Sequence, residues 1–141
     1  MQTEKMWAIL LHLSTNMWHK DDPVANSRRD DEGPIYRNFF YTDKSTWQKV
    51  IDFLPSCGIN TVLIDMGDGV QYDSHPELAI PGCWTKAEFR AELARIRALG
   101  LTPLPKFNFS ACHNAFMKEH AYTVGTDHYN QVCKDLMEEV I

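Results

Sequence analysis

The side chains in this sequence whose types could act together are His12, Asp65, Asp68, His75, Lys106, Asn108 and His113. Asp65 and Asp68 stand in one acidic, glycine-containing stretch, Asp65-Met-Gly-Asp-Gly-Val-Gln-Tyr-Asp73. An ionised carboxylate only accepts hydrogen bonds, and its two oxygens can hold two hydroxyl groups in fixed geometry. The competing reading is that both cap backbone donors of their own turn. His75 precedes Pro76, which biases it to an extended conformation suited to a fixed contact, although a solvated loop histidine reads the same way. Lys106 and Asn108 alternate with Phe107 and Phe109, so a regular strand would turn both polar side chains to one face. An interior lysine without a counter-charge is costly, so a carboxylate partner such as Asp65 is expected. His12 closes an apolar run and is expected to be a satisfied core histidine. Trp18, Tyr72 and Trp84 offer flat faces for stacking, though single aromatics more commonly pack in cores.

His12, Asp65, Asp68, His75 and His113 could also converge on a metal, but no spacing of the HExxH kind is present. No metal and no cofactor is expected. The cysteines Cys57, Cys83, Cys112 and Cys133 are widely spaced without a CxxC pair, and read as reduced thiols. A net charge of −5 gives no basic footprint for nucleic acid or an anionic membrane. No apolar run reaches the roughly 20 residues of a bilayer span. Met1 to Leu13 lacks a signal-peptide plan, since Glu4 and Lys5 precede only a short apolar run with no small-residue cleavage site. The compartment stays open on this reading. With 44% hydrophobic and 23% charged residues over 141 positions, the chain reads as one globular domain.

The elements that must position these residues follow from the order of apolar runs. Trp7 to Leu13 is continuously apolar, as for a strand buried on both faces. Lys20 to Asn38 has no period and reads as a long surface loop, a candidate binding loop. Ser45-Thr-Trp-Gln48 has the form of a capping box, with Trp47, Val50, Ile51 and Leu54 on one helical face and Gly58 past its end. A strand then runs from Ile59 to Asp65. After a turn-rich linker, Ser74 to Gly82, Thr85-Lys-Ala-Glu88 forms a second capping box. Its helix carries Phe89, Leu93, Ile96 and Leu99 on one face, and Gly100 ends it. Leu101 to Phe109 reads as a third strand, weakened by Pro103 and Pro105, which each remove a backbone donor. Asp127 is placed to cap a last helix whose face is Tyr129, Val132, Cys133, Leu136 and Val140.

Three strand–loop–helix units in succession imply an α/β fold with parallel strands. A doubly wound sheet wants a glycine-rich turn after its first strand, and Ser14-Thr-Asn-Met-Trp-His19 has no glycine. Polar residues gather after the strand ends instead, as in a (β/α)8 TIM barrel, of which residues 1–141 would be the N-terminal portion, stopping before the fourth strand. Two open sheet edges would then favour self-association.

From Asp65 to His113 the chain resembles the family 20 glycoside hydrolases, the β-N-acetylhexosaminidases and their relatives. The resemblance lies in Asp65-Met-Gly-Asp-Gly-Val70, His75-Pro-Glu-Leu-Ala79, Gly82-Cys-Trp-Thr85, and the helix and strand up to Pro105. The family then has Pro-Glu-hydrophobic-Asp, a turn and His. Here Pro105-Lys-Phe-Asn108 precedes Ser-Ala-Cys-His113, one residue longer and with both acidic positions changed.

The resemblance implies a barrel that hydrolyses β-linked N-acetylhexosamine-type sugars with the substrate's acetamide as nucleophile, a carboxylate orienting it and a glutamic acid protonating the leaving oxygen. It makes Asp65, Asp68, His75, Lys106, Asn108 and His113 substrate-binding candidates and a carbohydrate the expected partner. The family's Asp-Glu pair follows its fourth strand, whereas the pair Asp31-Glu32 here lies in the first loop and does not match by position. No catalytic residue is therefore assigned, and the chain alone is expected to be inactive. The alternative is a non-catalytic carbohydrate-binding or assembly module that requires a partner.

Overall fold

The computed structural model describes residues 5–13, 39–109 and 114–140. It is a mixed α/β arrangement whose three strands, β1 (Ala8–His12), β2 (Thr61–Asp65) and β3 (Thr102–Lys106), form one parallel sheet in the order β1-β2-β3. Three α-helices follow the strands: α1 (Lys44–Phe53), α2 (Lys86–Ala98) and α3 (Asp127–Val140). Short 3-10 segments lie at Leu54–Cys57, Pro76–Leu78 and Ala115–Thr123. The α/β class and the parallel strands expected from the sequence are present.

Helix starts are set locally. At α2 the Thr85 side chain accepts from the Glu88 backbone while the Glu88 side chain reaches back to the Thr85 N–H, the complete capping box. At α1 the expected Ser45 box is corrected. The helix begins at Lys44 and Asp43 is its cap, accepting from the Thr46 N–H at 2.7 Å. That hydrogen bond holds the Asp43 carboxyl below the usual carboxylate range. An ionised carboxylate is a stronger acceptor for a first-turn N–H than the Ser45 hydroxyl, and it starts the helix two residues earlier. At α3 the cap is also earlier than expected, by one residue. Asp127 is the first helical residue, and Thr126 Oγ1 accepts from the Tyr129 N–H at 3.2 Å. Gly58 and Gly100 end their helices with φ of 75° and 79°, the left-handed conformation that glycine adopts without a Cβ clash.

Strand alternation divides the sheet into two unlike faces. Val62 and Ile64 turn to the helices, where they join Trp47, Ile51, Phe89 and Ile96 in the core, with Ile9 and Leu11 packed against them. Val132 and Leu136 of α3 are buried in the same core, as the predicted helical face requires. Pro103 and Pro105 line a cavity of about 150 Å³ on this side together with Ile64, Phe89, Leu93 and Val140. On the opposite face no helix among the described residues covers the row Leu10–Leu63–Leu104, which the register places side by side across the strands, and Leu10 is 41% exposed.

The prolines fit β3 because of parity. The Thr102 N–H donates to the Asn60 carbonyl and the Lys106 carbonyl accepts from Met66, so the even residues of β3 address β2. The backbone nitrogens of residues 103 and 105 therefore point to the open edge, where a missing donor breaks no ladder bond.

Candidate functional site

Register alone assembles a polar row at the C-terminal ends of the strands. His12, Asp65 and Lys106 are direct neighbours across β1, β2 and β3. The Asp65 carboxylate is fully buried, and its Oδ2 lies 2.8 Å from His12 Nδ1 and accepts from Lys106 Nζ, also at 2.8 Å. The expected Lys106–Asp65 pair is thus present, and the ammonium offsets the desolvation of the buried carboxylate. His12 is satisfied, as expected, but it is not a core residue: its side chain is about one-third exposed. Fixing Nδ1 against a carboxylate orients the imidazole and leaves Nε2 as its outward polar atom, the usual way a histidine is prepared for hydrogen bonding or proton transfer.

The loop after β2 is rigidly packed. Met66, Asp68 and Val70 are buried. Tyr72, essentially without exposure, donates its hydroxyl to the Gly67 carbonyl at 2.8 Å. Burial raises the Tyr72 pKa well above its ordinary value, and the Asp68 and Glu139 carboxylates add to it. Gln71 N–H donates to the Trp84 carbonyl and Trp84 N–H to that of Gly69, so the loop is stitched to the entrance of α2. Its far end is held by Glu139 of α3, which accepts from the backbone N–H groups of Asp73 and Ser74 at 2.8 and 2.9 Å, from the Ser74 hydroxyl, and from Lys86 Nζ at 2.8 Å. Burial pushes the Glu139 carboxyl up, but the hydrogen bonds from Lys86, Ser74 and these backbone donors outweigh it and hold the pKa at about 2.

The sequence candidates are distributed unequally. Asp65 and Lys106 belong to the row, together with His12. Asp68 is fully buried in the adjoining loop. Asn108 is half-buried but lies beyond the end of β3, so strand alternation does not fix its direction. His75 makes its hydrogen bonds to Glu77 and Asp135. His113, Trp18, Cys112, Asp31, Glu32 and the loop 20–38 lie outside the described residues, while Cys57, Cys83 and Cys133 are free thiols. Tyr72 and Trp84 are core residues. Trp84 is packed edge-on against Phe40 and Trp47, with no face left for a ligand.

Two features went unread in the sequence. Ala115–Thr123 buries Phe116, Met117 and Ala121 in two short turns that meet at Lys118, whose φ is +50°. His120 and His128 come together with His75 and Glu77. Neither carries a helical or strand period that would have marked it.

No helix among the described residues is long and apolar enough to cross a membrane. A scan against protein-family models gives no match, and a comparison with curated proteins gives none.

Proposed function

We propose that this chain is the front portion of a (β/α)8 barrel related to the family 20 glycoside hydrolases, contributing part of a binding face for β-linked N-acetylhexosamine-type sugars. The observation that carries the reading is the His12–Asp65–Lys106 row at the C-terminal ends of three parallel strands, the end at which barrel enzymes place their sites. In this reading the Lys106 ammonium donates to sugar hydroxyls or to the acetamide carbonyl. His12, held by Asp65, supplies a second directed polar group. The buried Asp65 fixes both. In this reading the row supplies binding contacts rather than the acid that protonates the leaving oxygen.

Saturation-transfer NMR with N-acetylglucosamine and N-acetylgalactosamine tests it, comparing the 141-residue chain with Lys106→Met. Transfer in the parent that the variant loses supports the reading. No transfer from either sugar, or turnover of an aryl N-acetylhexosaminide by the chain alone, overturns it.

The uncovered row Leu10–Leu63–Leu104 favours a second reading, an assembly module whose open sheet face is completed by a partner or by another copy. Concentration-dependent sedimentation that Leu10→Glu abolishes would support it. A monomer at all concentrations would exclude self-assembly.

A further inference from the structure

Beyond the sheet, imidazoles and carboxylates from three chain segments meet over the 3-10 turn Pro76–Leu78. His75 Nδ1 lies 2.8 Å from Glu77 Oε1, and His120 Nε2 lies 2.9 Å from the same oxygen. One ligand atom from each of the three residues falls within 4.8 Å of the other two. The remaining ring nitrogens are also engaged: His75 Nε2 is 3.3 Å from Asp135 Oδ2, and His120 Nδ1 is 2.9 Å from His128 Nε2. The Asp135 carboxylate is itself held by Gln131 Nε2 at 2.7 Å.

Both nitrogens of His75 face carboxylate oxygens, Glu77 Oε1 on one side and Asp135 Oδ2 on the other. A carboxylate behind the outer nitrogen of a histidine whose inner nitrogen meets other donors is the arrangement that orients metal-bound imidazoles.

We propose that His75 Nδ1, Glu77 and His120 Nε2 bind a zinc ion, with Asp135 and His128 positioning the two imidazoles. Two nitrogens and a carboxylate oxygen are borderline ligands that suit zinc. Tetrahedral zinc with bonds of about 2.1 Å places its ligand atoms about 3.4 Å apart, so the Glu77 contacts open by roughly half an ångström to admit it. Three protein ligands leave a fourth position for water. The site joins the turn after the β2 loop to the Ala115–Thr123 segment and α3, which Lys118 already bridges by donating to the Glu77 and Ala79 carbonyls. This proposal does not depend on sugar binding.

The test is zinc titration of the chelator-dialysed 141-residue chain in competition with a chromophoric chelator. One zinc per chain is expected with a Kd of about 1 μM or tighter. Cobalt(II) in place of zinc should show visible d–d bands with no near-ultraviolet thiolate charge transfer, which separates this site from the free cysteines. Glu77→Gln and His120→Ala should each weaken binding at least tenfold, and Asp135→Asn about tenfold. Glu77 is about half exposed, so its variant retains the fold and serves as the control for His120→Ala. No zinc bound at about 100 μM, a thiolate charge-transfer band, or affinity unchanged in both ligand variants would overturn the assignment.

Discussion

Gly69 lies against Leu13 so closely that a Cβ on residue 69 would stand 2.6 Å from the Leu13 Cβ and 2.9 Å from both Leu13 Cδ1 and the Met66 carbonyl oxygen. The backbone of the loop after β2 rests there on the side chain of Leu13, the residue just past β1. Gly69→Ala is expected to lower stability by about 1–3 kcal/mol, the usual cost of overpacking a site whose neighbours cannot retreat. Thermal or urea denaturation measures it, and an unchanged midpoint would mean that the two segments are not in contact.

Asp65 and Lys106 should be strongly coupled. Asp65→Asn leaves the ammonium facing a neutral amide, and is expected to destabilise the chain by about 3 kcal/mol. Adding Lys106→Met should recover much of that loss, because the stranded cation is then gone. A double-mutant cycle reads the coupling, expected at 1–3 kcal/mol, and additive effects would argue that the pair contributes nothing.

Acid stability should depend on Glu139. Its folded pKa of about 2 lies below the ordinary 4.5, so its contribution is complete above about pH 4.5 and is lost as pH falls toward 2. Glu139→Gln should cost about 3 kcal/mol at pH 7 and little at pH 2, flattening the acid limb of a stability–pH curve. Parallel curves for parent and variant from pH 7 to pH 2 would contradict the assignment.

The bond between α1 and α2 runs through Glu92, which is buried and accepts from Trp47 Nε1 at 2.8 Å while holding Arg95 at 2.8 and 2.9 Å. Trp47→Phe removes the donor and part of the packing. It is expected to cost about 2 kcal/mol, and Glu92→Gln less, since an amide oxygen still accepts from the indole. Equal losses in the two variants would indicate that the carboxylate's pairing with Arg95, within α2 itself, contributes as much as the indole bond.

The parts of this arrangement that were legible in the sequence are those set over short distances. Thr85 and Glu88 satisfy each other within one turn, so the start of α2 could be read directly, whereas Asp43 and Ser45 are both good cap residues two positions apart and sequence alone does not rank them. Lys106 could be assigned a carboxylate partner because a strand-end lysine facing the interior requires one, and Asp65 was the acid at the end of the preceding strand. The meeting of His75 with His120 and His128 was not legible. It depends on how a 3-10 segment without amphipathic period folds back across 43 residues, and no local pattern encodes that path.

The two prolines of β3 also make growth of the sheet directional. A strand laid beside β3 can donate to the carbonyls of residues 103 and 105 but receives nothing in return, so side-chain packing must hold it in place. β1 has no proline, and at the margin where no described strand pairs with it Ala8, Leu10 and His12 present both backbone donors and acceptors, a complete template for reciprocal pairing. A peptide or second chain that adds to this sheet by backbone bonding alone will therefore enter from the β1 side.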